Sequence, residues 1–134
     1  MSVTVDNISK TYGQQKALDN VSFSIAKGEV VGFLGPNGAG KSTMMKIATG
    51  YVMPDSGKVN VCGIEVNGNS LATHRLIGYL PEHNPLYLDM YVREYLQMVA
   101  GMYGLDNTAK RAADVIDMVG LGNESHKVIG ALSK

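Results

Sequence analysis

Cysteine occurs once in this chain, positive and negative charges cancel, and no apolar run is long. The lone Cys62 excludes an internal disulfide and fits a reducing compartment; it is expected as a small, half-buried strand residue. Twelve basic side chains balance twelve acidic ones, so no global field draws the chain to nucleic acid or to an anionic membrane. No apolar run approaches the ~20 residues that a membrane-spanning helix needs. The amino terminus, "MSVTVDNISK", lacks the basic stretch and apolar region of a secretory signal. His74, His83 and His126 share no metal-ligand spacing and are assigned to surface or loop positions. There is no internal repeat, low-complexity tract or linker. What is present is 134 residues, 45% of them hydrophobic, expected to form a single domain with a sizeable core.

The pattern along the chain alternates strand and helix signals. "VTVDNI" (3–8) and "VSFSI" (21–25) alternate apolar and polar residues, as half-buried strands do, with Val21, Phe23 and Ile25 on one face. A turn is expected at Lys27–Gly28. "VVGFL" (30–34) is a continuous apolar run, the pattern of a strand covered on both faces in a parallel sheet. A helix follows from Ser42, with Met45, Ile47 and Ala48 on one face and Gly50 as its stop. After turn chemistry in "MPDSG" (53–57), residues 58–66 read as a strand bent at Gly63, and "IGYLP" (77–81) as a short strand ended by proline.

Two more helices are expected, over 93–104 and 108–120. Leu96, Val99, Ala100 and Tyr103 form the stripe of the first, with Asp89 to cap its first turn. Ala109, Ala112, Ala113, Ile116 and Val119 form the stripe of the second, with Gly120 as its stop. Met98, Met102 and Met118 read as core filler in this helical layer.

Three glycines in six positions mark the chemistry. "GPNGAGKST" fits G-x-x-x-x-G-K-[ST] from Gly35 to Ser42, between a buried strand pattern and a helix pattern. A triphosphate concentrates negative charge, and a loop around it must aim successive backbone N–H groups inward. Glycine permits the dihedrals and the close approach this requires. A helix starting near Lys41 points its free N–H groups and positive dipole end at the same place. Lys41 adds a full charge at the β- and γ-phosphates, and the Ser42 hydroxyl completes Mg²⁺ coordination.

"GPNGAGKST" resembles the Walker A sequence of ABC-type ATPases, and other pieces follow in the family's order. Tyr12, in "KTYG", stands where this family stacks an aromatic ring on adenine. "PDSGKVNVCG" resembles the return into a small antiparallel sheet, and "IGYLPEHNPLYLDMYVREYL" the Q-loop and the start of the helical subdomain. The chain is most similar to the ATPase subunits of multidrug-type and gliding-motility-type exporters. Two positions depart from the family. Glu82 stands where the Q-loop carries glutamine, placing a carboxylate at the metal and close to the γ-phosphate, and Tyr91 stands where a threonine is usual. "ALSK" (131–134) resembles the opening of the signature motif, of which Leu132, Ser133 and Lys134 are present. The Walker B pair and switch histidine have no counterpart here: "LYLDM" (86–90) has no glutamate after its aspartate, and Asp117 lies in a helical pattern.

The resemblance implies an α/β P-loop NTPase of the ABC type. Its parallel sheet is incomplete and flanked by an antiparallel β layer from 1–30 and 58–66; layer and P-loop core together take up about 1–82, and the start of a helical subdomain about 83–134. It implies a cytoplasmic subunit, peripheral to the membrane, that binds ATP with Mg²⁺ and, when intact, hydrolyses it to drive transport. Gly35, Pro36, Asn37, Gly38, Ala39, Gly40, Lys41, Ser42, Thr43 and Tyr12 are the implied nucleotide ligands. Ser42 and Glu82 are the metal contacts, and Lys41 and Glu82 the catalytic groups. A second ATP-binding subunit and a transmembrane permease are the implied partners, the latter docking near 83–91. There, at least two of Leu86, Tyr87, Leu88, Met90 and Tyr91 are expected to be exposed. The other class of function is a natural nucleotide-binding or regulatory module that never hydrolyses. A GTPase lacks support, since no N-K-x-D motif is present, and Arg75, Arg93 and Arg111 form no substrate set for a small-molecule kinase.

Overall fold

The computed structural model describes residues 2–68 and 71–132. The chain divides into two compact units, Met1–Leu80 and Pro81–Lys134. The first is built on β1 (Val3–Tyr12), β2 (Gln15–Ile25), β3 (Ser56–Val61) and β4 (Ile64–Glu65). All pairs are antiparallel, and the order is β2-β1-β3-β4. This is the expected antiparallel layer.

Simple alternation does not describe its central hairpin. Val5 and Ile8 are both buried although three residues apart, because a register shift between them changes the phase of β1. Asn7 sits at that shift with φ 52°, and Asn20 on β2 has φ 53°, left-handed conformations that asparagine tolerates better than most side chains. Both irregular positions have a donor satisfied by a serine across the ladder. Asn7 N–H donates to Ser22 Oγ at 2.8 Å, and Asn20 N–H to Ser9 Oγ at 2.9 Å.

On the other side of β1, Gly57 of β3 passes very close. A Cβ at this position would lie 2.4 Å from the Asn7 carbonyl oxygen, at a φ of +89°, so no other residue fits without displacing backbone. β3 turns into β4 through Cys62 and Gly63, both at positive φ (51° and 84°), the pattern of a two-residue type I′ hairpin. The strand expected over 58–66 is therefore two strands, and Cys62 is an exposed turn residue rather than a half-buried one.

Helix α1 (Lys41–Ala48) closes the core of this unit. Its Met44 and Ile47 are buried with Val5, Ile8, Leu18, Val59, Val61 and Val66. Met44 takes the place expected for Met45, which is half exposed. The helix ends at Gly50 as expected: Gly50 N–H donates to Ile47 O and Tyr51 N–H to Lys46 O, the two bonds of a Schellman cap. A short α2 (Leu71–His74) follows β4.

Two expected strands do not form. Residues 30–34 and 77–81 join no ladder, and Val30 and Leu34 are almost wholly exposed. A parallel strand needs a partner returned by a crossover of a dozen or more residues, and no described segment supplies one. Phe33 instead packs on Phe23, ring centroids 5.6 Å apart. With Val31, Ile25, Met45 and Ile77 they line an open apolar groove of about 520 Å³.

In the second unit α3 (Val92–Met102) packs against α4 (Thr108–Met118), burying Val92, Ala100, Ala112 and Ile116. The expected helices are present, but their buried stripes are narrower: Tyr103, Ala109 and Val119 are exposed. Met102 and Met118 also face solvent, so of the three methionines read as core filler only Met98 is half-buried. Gly104 and Gly120 close their helices with the same paired bonds as Gly50. At the start of α3 the cap is Tyr91, whose N–H donates to Glu94 Oε2 at 3.4 Å; Asp89 does not serve.

Gly57→Ala tests the close packing of β3 on β1. It should destabilise the fold by at least about 2 kcal/mol in urea unfolding, and an unchanged midpoint would contradict the contact.

Candidate functional site

The glycine loop and α1 are one continuous device. Ala39 N–H donates to Pro36 O at 3.2 Å, turning the chain, and Gly40 caps α1 with φ 81° and no side-chain acceptor. Gly40 is fixed by packing as well as by dihedral. A Cβ there would lie 2.2 Å from the Ala17 carbonyl oxygen and 2.8 Å from Leu18 Cδ2, so the helix begins in backbone contact with β2. Lys41, Ser42 and Thr43 form the first turn of α1.

The electrostatics of the loop are one-sided. The N–H groups of Asn37, Gly38 and Gly40 donate to no protein acceptor among the described residues. The positive end of α1, equivalent to roughly +0.5 charge, lies beside them. Lys41 Nζ donates back to the carbonyls of Gly35 and Pro36, the latter at 2.6 Å. No acidic side chain occupies the first turn. Free donors, a helix end and an ammonium group with no carboxylate partner fit a polyanion of phosphate size. Ser42 is exposed at the same end, where its hydroxyl suits a metal ion bound through such a ligand. Among the described residues no cluster of His, Cys, Asp or Glu holds a metal by itself.

Tyr12 stands at the end of β1, 48% exposed. Its ladder partner Gln15 lies two residues before Ala17, roughly 7 Å along the strand, so the hairpin that carries Tyr12 also abuts the loop through Gly40. Lys10 Nζ lies 5.7 Å from the Tyr12 ring centroid and 2.8 Å from Asp55 Oδ1. Asp55 Oδ2 accepts the Thr11 N–H at 2.7 Å. The Lys10 bond first, and then the Thr11 N–H, hold the Asp55 carboxyl below the usual carboxylate range. Sequence reasoning took Asp55 only as turn chemistry and passed over Lys10; no short-range pattern links them.

Glu82 is exposed and belongs to the second unit. In the same unit Leu86, Tyr87, Leu88 and Tyr91 are exposed and Met90 is partly buried, so four of the five apolar residues expected at a docking surface face solvent. An open cleft nearby is lined by Tyr91, Arg93, Glu94, Gln97, Ser125 and His126. Of the signature-like residues, Ser133 and Lys134 lie outside the described residues.

A phosphate-shaped loop opening a helix, seated on an antiparallel β layer, defines a P-loop nucleotide-binding cassette. Comparison with known proteins is more specific. Residues 18–134 match the family described as ABC transporter, and the chain belongs to that family. It is 38% identical over 130 residues to the linearmycin resistance ATP-binding protein LnrL of Bacillus subtilis, covering 96% of this chain and 42% of that protein. It is 33% identical over 133 residues to the Nod factor export ATP-binding protein I of Ralstonia nicotianae, covering 98% and 41%. A solved ATP-binding subunit of an ABC transporter superposes with a TM-score of 0.82 at 29% identity, over 100% of this chain and 57% of that one. The chain thus spans less than half the length of the curated relatives it matches.

Gly40 and Gly38 separate packing from dihedral strain. Both have positive φ, but a Cβ at Gly38 meets nothing within 4 Å. Gly40→Ala should therefore lower the thermal midpoint clearly more than Gly38→Ala; equal shifts would show that the Ala17 contact is not restrictive.

Proposed function

We propose that these residues form the nucleotide-holding part of an ATP-hydrolysing subunit that drives an ABC exporter. The observation that carries this reading is the loop Gly35–Gly40 with its unengaged N–H groups, followed at once by Lys41 and the start of α1. In this reading Gly35 to Thr43 hold the phosphates of ATP and Lys41 neutralises the β- and γ-phosphates. The Ser42 hydroxyl is a Mg²⁺ ligand, and Tyr12 is the platform for adenine. Mg²⁺, when bound, supplies further neutralisation of the phosphates. Glu82 is assigned by resemblance alone, as a metal contact of the intact protein. The exposed Leu86, Tyr87, Leu88 and Tyr91 support a permease docking surface near 83–91, since exposed apolar patches mark interfaces. A second ATP-binding subunit is the other partner, and the site of action is the cytoplasmic face of the membrane. No helix among the described residues is long and apolar enough to cross the membrane itself.

Lys41→Ala should weaken ATP binding at least tenfold, or ~1.4 kcal/mol, with the fold retained. Calorimetric titration of both proteins measures this, and equal affinities would remove the phosphate assignment.

The 134 residues alone should turn ATP over negligibly. No aspartate–glutamate pair follows an apolar strand pattern here, so no carboxylate of the usual kind positions water. Turnover at an ordinary ~1–10 s⁻¹, abolished by Lys41→Ala, would reveal a base among these residues.

A further inference from the structure

The last residues of β1 are held differently on their two sides. Toward β2, Lys10, Thr11 and Tyr12 pair with Leu18, Lys16 and Gln15. Toward β3 the ladder ends at Ser9 and Ser56. Past that point Asp55 takes over. Its own N–H donates to Ser9 O at 2.9 Å, one carboxylate oxygen accepts the Thr11 N–H, and the other binds Lys10 Nζ. Lys10 is well covered for a lysine, its side chain only 17% exposed, and its ammonium group lies 5.7 Å from the Tyr12 ring centroid.

We propose that Asp55 and Lys10 are positioning residues for the base of a bound nucleotide, acting through Tyr12. Asp55 fixes the backbone just before Tyr12 and pins the Lys10 ammonium against the ring. The ring is thereby held at one angle while nearly half of it stays open to an aromatic base. An unpinned lysine would leave the ring to solvent, and a freed Tyr12 would lose ordering entropy each time it stacked. This inference rests on the reading of Tyr12 as the purine platform, and the experiment separates the two.

ADP and inorganic triphosphate affinities are measured by calorimetry on the full chain and its variants. Asp55→Asn and Lys10→Met should each weaken ADP binding about three- to fivefold, with triphosphate binding unchanged. Lys10→Arg, which keeps a cation, should restore most of the loss. In a Tyr12→Ala background, adding either substitution should change nothing further, because the effect passes through the ring. If Tyr12→Ala leaves ADP binding intact, the platform reading fails and the inference with it. If Tyr12→Ala weakens ADP binding but Lys10→Met and Asp55→Asn do not, the positioning role alone is overturned. A parallel loss of ADP and triphosphate affinity, or a loss that persists without Tyr12, assigns both residues to the fold and also overturns it. Should Asp55→Asn fail to fold, Lys10→Met decides, since it leaves the Asp55–Thr11 bond in place.

Discussion

The approach of Gly40 to the Ala17 carbonyl governs the first unit. A helix can sit this close to a strand only where there is no Cβ between them, and here the hypothetical Cβ would overlap the carbonyl oxygen at 2.2 Å. The contact sets where α1 begins, and therefore where its unsatisfied N–H groups point. It also sets which helical residues reach the sheet: with Lys41 as the first residue, Met44 and Ile47 fall on the face that meets Ile8, Leu18 and Val59. Core and phosphate loop are thus fixed by the same few atoms.

The hairpin that receives Gly40 needs its own irregularities to do so. Register shifts in β1 and β2 change which side chains face the helix, and the serine hydroxyls of Ser9 and Ser22 keep the donors at Asn20 and Asn7 satisfied. Both bonds lie at the exposed rim of the sheet, where each adds about 0.5–1.5 kcal/mol and holds the irregular position in register. Gly57 closes the other side, where β3 lies against Asn7 too tightly for any side chain. On the β3 side, where the ladder ends at Ser9, the tip bearing Tyr12 is held by Asp55 instead.

Local patterns in the sequence revealed what local physics controls. Glycine stops at 50 and 120 and the turn at Lys27–Gly28 depend on a few neighbouring residues. Misreadings arose where distant residues decide. The burial of Met44 instead of Met45 follows from where α1 begins, at the contact of Gly40 with Ala17 twenty-three positions earlier, which helical periodicity does not register. The hairpin at Cys62–Gly63 was hidden because cysteine gives no turn signal, although its φ of 51° makes one. Lys10 and Asp55 meet across forty-five positions, beyond the reach of any motif. The apolar run 30–34 has the composition of a buried parallel strand, yet burial is a property of neighbours, and the described residues give it Phe23 against Phe33 but no strand partner.

That contrast between an ordered phosphate loop and an unpaired apolar run separates two tasks. The free donors of Asn37, Gly38 and Gly40, the α1 terminus and Tyr12 are all held by the β1–β2 hairpin and the core beneath α1, without a parallel ladder. The geometry of the loop therefore rests on antiparallel pairing and helix packing present among the described residues. The run 30–34 and the groove of about 520 Å³ beside it are apolar surfaces that gain stability only when covered, at about 25 cal/mol per Å² removed from water. The groove is lined by Val31 and Phe33, on the chain that leads into the loop, and equally by Met44 and Met45 of α1, so both flanks of the loop border the same apolar surface.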